Sequence, residues 1–431
     1  MRGELHRGSH QGGTVGTYSR AKFVALATVV ALAAVACSDD TTSTTTTAPA
    51  AAETTVPSAG GDTTIATTAP APVDGLPTTK GDQKVKVMVL TDVTQGQIAY
   101  SAPETYQAVQ LAFKNFPNAT IDVCDAKGDQ NEYLNCQQKA VDGKYNAVVV
   151  GWSGGGGAGE DALYEAGIPV LGGQGNTTDP LSYSFASGTG NYVGLGAGSV
   201  LAGATKIGVL YLEGTDQLVD AIQKGVEFEK GTVVSRASVP NNAPDLAPAV
   251  AKLLGDGAEL IILSVSPPMV IQAMTAIKAS GKNPKVSAVA AILPQKLLDY
   301  MKGDADGIYA ISSTLNNVED SKGMAELLAG VEAIKSGTVL TVQTVLGFEA
   351  GYVLATAVAS ITGDVTADSL KTALDAIDGL DMGGLTGPAS TKSLPMKGLE
   401  RFMNPYAIVY QVVSGKLAKQ GDLTAIRGAY T

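Results

Sequence analysis

Residues 121–151 read IDVCDAKGDQNEYLNCQQKAVDGKYNAVVVG. Ile121-Asp122-Val123 alternates like a half-buried strand. Asn131–Val141 follows helical spacing, and Ala147–Val150 is a continuous aliphatic run with the length of a buried strand. Strand, helix and buried strand in so short a space describe a βαβ unit, whose two strands must run parallel.

The alternation extends in both directions. Upstream, Val85–Leu90 reads as a strand. Tyr106–Phe116 reads as a helix with Val109, Ala112, Phe113 and Phe116 on one face. Downstream come a helix at Glu160–Ala166, a strand at Ile168–Leu171 and a small-residue helix at Val193–Ala204. The pattern then restarts. Strands are expected at 207–212, 232–238, 260–264, 286–290 and 307–312, with helices at 218–229, 246–254 and 269–279. Two such series predict an α/β chain with two doubly wound parallel-sheet lobes. Ligands of such sheets lie beyond the carboxyl ends of the strands, so the strand-to-helix loops are the places to look for function.

Composition narrows the function classes. The chain has 431 residues and a formal charge of −11, which argues against nucleic acid as a partner. Its two histidines are His6 and His10. Both precede the leader cleavage point described next, so the mature chain has no histidine. That removes Ser-His-Asp and Cys-His catalysis and the commonest transition-metal ligand. Few enzyme classes survive that exclusion: carboxylate chemistry, lysine chemistry and pure binding remain, and of these a binding protein, not an enzyme, with no cofactor and no metal, is expected. Aromatics are 5% of the chain, and Trp152 is the single Trp. That argues against a sugar receptor, which would stack aromatic rings on its ligand.

The first 37 residues read as an export leader. Arg2, Arg7, Arg20 and Lys22 make a basic start. Phe23–Ala36 is an apolar stretch broken only by Thr28, and Ala34-Val35-Ala36 leads into Cys37. The stretch is short of the ~20 residues needed to cross a bilayer. The end of the leader resembles a bacterial lipobox, with Ala34 where that motif usually has Leu. The resemblance implies that Cys37 becomes the first residue and carries diacylglycerol. An ordinary signal peptide with a chance cysteine is the alternative. Residues 38–80 hold 14 Thr, 8 Ala and 5 Pro and almost no large apolar side chain. They read as a tether, taken here as 38–83. Cys124 and Cys136 remain. An exported chain is expected to join them in a disulfide, the alternative being two buried thiols.

The loops supply the candidate ligand contacts. Gly151-Trp152-Ser153-Gly154 follows the 147–150 strand. Its exposed amides at a helix start favour an anion, and Trp152 is expected to wall a cleft. Gln174 and Asn176 follow the next strand, with neutral hydrogen-bonding groups. Gly188-Thr189-Gly190-Asn191-Tyr192 precedes a helix. Asp216 is placed either to pair with a ligand ammonium or to cap the helix that follows it. Ser266 has the same ambiguity before Pro267 and Pro268. Tyr100 is placed to line the cleft from the first loop.

The "CD…GD.N…C…AV..G..AVVG" pattern of 121–151 resembles the solute-binding proteins of branched-chain amino-acid-type ABC importers. AGIPVLGG (166–173), GTDQLVDAIQKGVE (214–227), LGFEAGYVLATAV (346–358), LTGPAS (385–390) and PYAIVYQVVSGKL (405–417) extend the likeness over about 84–420. It implies a type I periplasmic-binding fold with crossovers near 187, 313 and 403. One lobe would be 84–187 plus 314–402, the other 188–313 plus 404–424. It further implies a monomer that closes on one small molecule and docks on an ABC permease at the outer face of the cell membrane. The membrane would be reached through the lipid anchor only. A receptor of the same fold that senses its ligand without a transporter is the alternative.

By residue, the likeness puts Ser153 and Gly154 at the ligand carboxylate. Gln174 or Asn176, and Thr189 or Asn191, would supply further contacts. Two groups of the branched-chain amino-acid binders are missing. No tyrosine lies near Gly214–Asp216, and Ala291-Ile292-Leu293-Pro294 has no acid for an ammonium.

Overall fold

The computed structural model describes residues 75–94, 101–156, 159–172, 178–185, 188–393, 398–421 and 424–425. The leader, Cys37 and the tether up to residue 74 lie outside the described residues, as do Tyr100, Gln174 and Asn176 and the side chain of Thr189.

Two sheets organise the chain. The first holds β1 (Val85–Thr91), β2 (Ala119–Asp125), β3 (Ala147–Val150), β4 (Val170–Gly172) and β5 (Ser182–Tyr183), all parallel in the order β2-β1-β3-β4-β5. Its helices are α1 (Glu104–Ala112), α2 (Gln130–Asp142) and α3 (Asp161–Glu165). β1 is buried on both faces, as a central parallel strand should be. Val85, Val87 and Val89 join one core cluster with Val109 and Ala112 of α1, while Met88 and Leu90 join another with Tyr133 and Ala140 of α2. Cys124 on β2 and Cys136 on α2 form the expected disulfide within that second cluster, with Cα atoms 5.7 Å apart.

The second series begins with α4 (Gly188–Leu201). It continues through β6 (Lys206–Leu212), α5 (Asp216–Phe228), β7 (Thr232–Val239), α6 (Ala247–Gly255), β8 (Leu260–Ser264), α7 (Pro267–Ala279), β9 (Lys285–Val289), α8 (Gln295–Met301) and β10 (Tyr309–Ser312). After β10 come α9 (Lys322–Ile334), α10 (Val342–Ser360) and α11 (Ala367–Asp375), and then β11 (Tyr406–Val413) and β12 (Lys416–Lys419). The second sheet runs β12-β11-β10-β9-β8-β6-β7. β6 to β10 run parallel to one another, and β11 and β12 are antiparallel additions beyond β10. Ser414 and Gly415 turn the β11–β12 hairpin with positive φ at both positions, as a type I′ turn requires.

Differences from the expected elements have local causes. The first helix stops at Ala112 and not at Phe116, and the chain then turns into Pro117, which disfavours helical backbone in the residue before it. α4 starts five residues before the expected Val193. Its glycines are poor helix formers, yet they allow close packing: a Cβ at Gly196 would sit 2.0 Å from the Ile222 carbonyl oxygen of α5. α10 is apolar and buried over most of its length, and it packs on α1.

Candidate functional site

β1 and β3 are neighbours, and β2 lies on the far side of β1, so a crevice opens beyond the ends of β1 and β3. Asp92 leaves β1 there and is fully buried. Ser153 Oγ donates to its Oδ1 at 2.8 Å, and the Gly154 amide donates to its Oδ2 at 2.9 Å. The Gly155 amide in turn donates to Ser153 Oγ at 3.1 Å. The Trp152 carbonyl accepts from the Asp92 amide and from Thr91 Oγ1. The glycine-serine turn therefore holds an anion, and that anion is the protein's own carboxylate.

A cavity of about 630 Å³ lies beyond these strand ends. One wall is Gly151 and Trp152 with the start of α10, Leu340 to Gln343 and Leu346. The second series supplies Asn191 and Tyr192 of α4, Ala290, Ala291, Leu293, Pro294 and Gln295 after β9, and Ser312 and Ser313 at the end of β10. Asn316, Asn317 and Tyr406 also line it. Its size suits a small organic ligand. Asn191 Oδ1 is buried and has no hydrogen-bond partner among the described residues.

The first turn of α10 is capped from within. Thr341 Oγ1 accepts from the amides of Gln343 and Thr344, and Thr344 Oγ1 accepts from the Thr341 amide. Thr341 Oγ1 donates to Glu104, which opens α1 and is 5% exposed. Burial raises the Glu104 pKa, against the lowering effect of that hydrogen bond. Deeper in α10, Glu349 is buried and accepts from Thr386 Oγ1 and from Asn404 Nδ2, both at 3.2 Å. Burial pushes its pKa up to about 8.

Of the residues expected in the site, Trp152 and Asn191 line the cavity. Ser153 and Gly154 lie behind it, bonded to Asp92. Asp216 is the first residue of α5 and accepts from Tyr211 Oη at 2.9 Å, away from the cavity lining. Ser266 is the N-cap residue of α7, makes no side-chain cap bond, and is also away from the lining. Thr341, Gln343, Ser312, Ser313, Asn316 and Tyr406 line the cavity without having been singled out in the sequence. The sequence signal for two of them was a Thr341-Thr344 capping pair and the polar Asn316-Asn317 step after a strand.

The family model "Periplasmic binding protein" matches residues 84–415, and the chain belongs to that family. The fold is shared with an ABC transporter substrate-binding protein from Sphaerobacter thermophilus (17% identity, TM-score 0.63), with alignment over 79% of this chain and 98% of that one. A leucine binding protein from Thermotoga maritima aligns over 78% of this chain and 98% of its own (14%, 0.60). An R. palustris ABC transporter solute binding protein in complex with 4-hydroxybenzoate aligns over 79% and 96% (17%, 0.60). No curated protein matches the chain. The family is thus that of the periplasmic binding proteins, and the fold is the one these solved structures share.

Proposed function

We propose that the protein is an extracytoplasmic receptor that captures one small molecule between two lobes and delivers it to an ABC import permease. The lobes are 84–187 with 314–402 and 188–313 with 404–424, hinged near 187, 313 and 403. Cys37 carries the lipid anchor and the following residues the spacer, and the protein acts as a monomer. One observation carries the reading: the cavity takes its walls from the carboxyl ends of strands in both sheets, through Trp152 on one side and Ala290, Ala291 and Ser312 on the other. A ligand seated there touches both walls, so its binding energy favours the closed form.

The test is calorimetry and thermal unfolding of the mature protein with amino acids, amides and short organic acids. One-to-one binding is expected. At a hundred times the dissociation constant, stabilisation is about 2.7 kcal/mol. Flat unfolding curves across the panel, with no small molecule recovered from the natively purified protein, would count against the reading.

A further inference from the structure

We infer that the cleft selects an uncharged ligand, because the two places where it could hold an anion are already filled from within the protein, one by the Asp92 carboxylate and the other by Thr341 Oγ1. This rests on the receptor reading above and narrows it to a ligand class: a neutral molecule with an apolar body and an N–H or O–H donor, such as a primary amide.

The first place is the glycine-serine turn. Its hydroxyl and amide donors hold the fully buried Asp92, one to each carboxylate oxygen. A ligand carboxylate brought to this turn would find those donors engaged and a like charge beside it. The second place is the start of α10, which faces the cavity through Thr341 to Gln343. There the amides of Gln343 and Thr344 bond to Thr341 Oγ1, and Glu104 accepts from that same oxygen.

The rest of the wall is neutral. Among the described residues that line the cavity, none is Asp, Glu, Lys, Arg or His. Asp92 and Glu104 do not line the cavity and are 0% and 5% exposed, so neither meets a ligand ammonium. A zwitterion would leave both its charges unpaired on closure, which is costly. An uncharged molecule loses no such pairing. Asn191 Oδ1, buried without a partner among the described residues, matches a ligand donor, and the hydroxyls of Ser312 and Ser313 offer donors to a carbonyl.

The experiment is calorimetry on the mature protein with compounds matched by carbon skeleton: the primary amide, the carboxylate, the amine and the α-amino acid on each of several aliphatic and aromatic skeletons. For every skeleton that binds, the amide is expected to bind at least about tenfold more tightly than its charged counterparts. Asn191→Leu is expected to weaken amide binding by about tenfold, and Asn191→Gln, which keeps the acceptor, by less. A carboxylate, amine or amino acid that binds as tightly as its amide overturns the inference and leaves the receptor reading standing. Silence from every member overturns the inference. If no small molecule is recovered from the natively purified protein either, the receptor reading falls with it.

Discussion

Ser153 Oγ donates to Asp92 Oδ1 at 2.8 Å across the junction of β1 and β3. The two residues are 61 positions apart in sequence, and the bond ties the first loop of the first sheet to the glycine-rich turn that walls the cavity. With the Gly154 amide it satisfies a carboxylate that is fully buried.

The pair should therefore act as a unit in stability. Asp92→Ala leaves the Ser153 hydroxyl and the Gly154 amide without their acceptor, and unfolding by urea should show a loss of about 1–3 kcal/mol. Adding Ser153→Ala to that variant should cost clearly less than Ser153→Ala costs alone. Strict additivity of the two substitutions would show that the bond contributes nothing.

Glu349 is buried within α10. Asn404 Nδ2 donates both to it and to the Ser313 carbonyl. Its pKa is raised in the folded protein from an ordinary 4.5 to about 8 by burial. The folded state then holds a proton that the unfolded state releases, so this stabilising contribution is full below pH 4.5 and is lost as pH rises through about 8. Glu349→Gln, permanently neutral, should flatten that decline. Melting temperatures from pH 5 to 9 check this, and an equal decline in both proteins would contradict it.

The disulfide closes a short loop between β2 and α2, with a sequence separation of 12. Reduction, or replacement of both cysteines by Ser, should lower stability by about 3 kcal/mol. Denaturant midpoints with and without reductant measure it, and unchanged midpoints would contradict it.

Gly196 and Gly225 let α4 and α5 meet backbone to backbone. A Cβ at Gly225 would sit 2.0 Å from the Val193 carbonyl oxygen. Backbone does not yield as a flexible side chain does, so Gly225→Ala should destabilise by at least about 1–3 kcal/mol. An unchanged melting temperature would show that the helices separate freely.

The parallel sheets could be read in the sequence because Val87–Leu90, Ala147–Val150 and Leu260–Leu263 are uninterrupted apolar runs, a local signal of strands covered on both faces. Trp152 and Asn191 could be read because glycine-rich loops at strand ends and helix starts mark the cleft. The partner of Ser153 could not. Asp92 reaches Ser153 only because β1 and β3 pair, and no spacing within either segment announces that pairing. Thr341 and Tyr406 were missed for the same reason: they join the cavity from elements that follow β10, far along the chain from the loops they face. Ser153 shows the converse limit. Its loop has the composition of an anion site, and composition does not say whose anion fills it.

Trp152 is the sole tryptophan and lines the cavity, so its emission reports on the cavity alone. The most direct measurement is therefore a fluorescence titration with the small molecule recovered from the natively purified protein, run beside calorimetry. A saturable change in emission is predicted, with a one-to-one endpoint and the calorimetric affinity, shifted to weaker binding by Asn191→Leu. One-to-one binding by calorimetry that leaves Trp152 emission unmoved would place the ligand elsewhere and contradict the account.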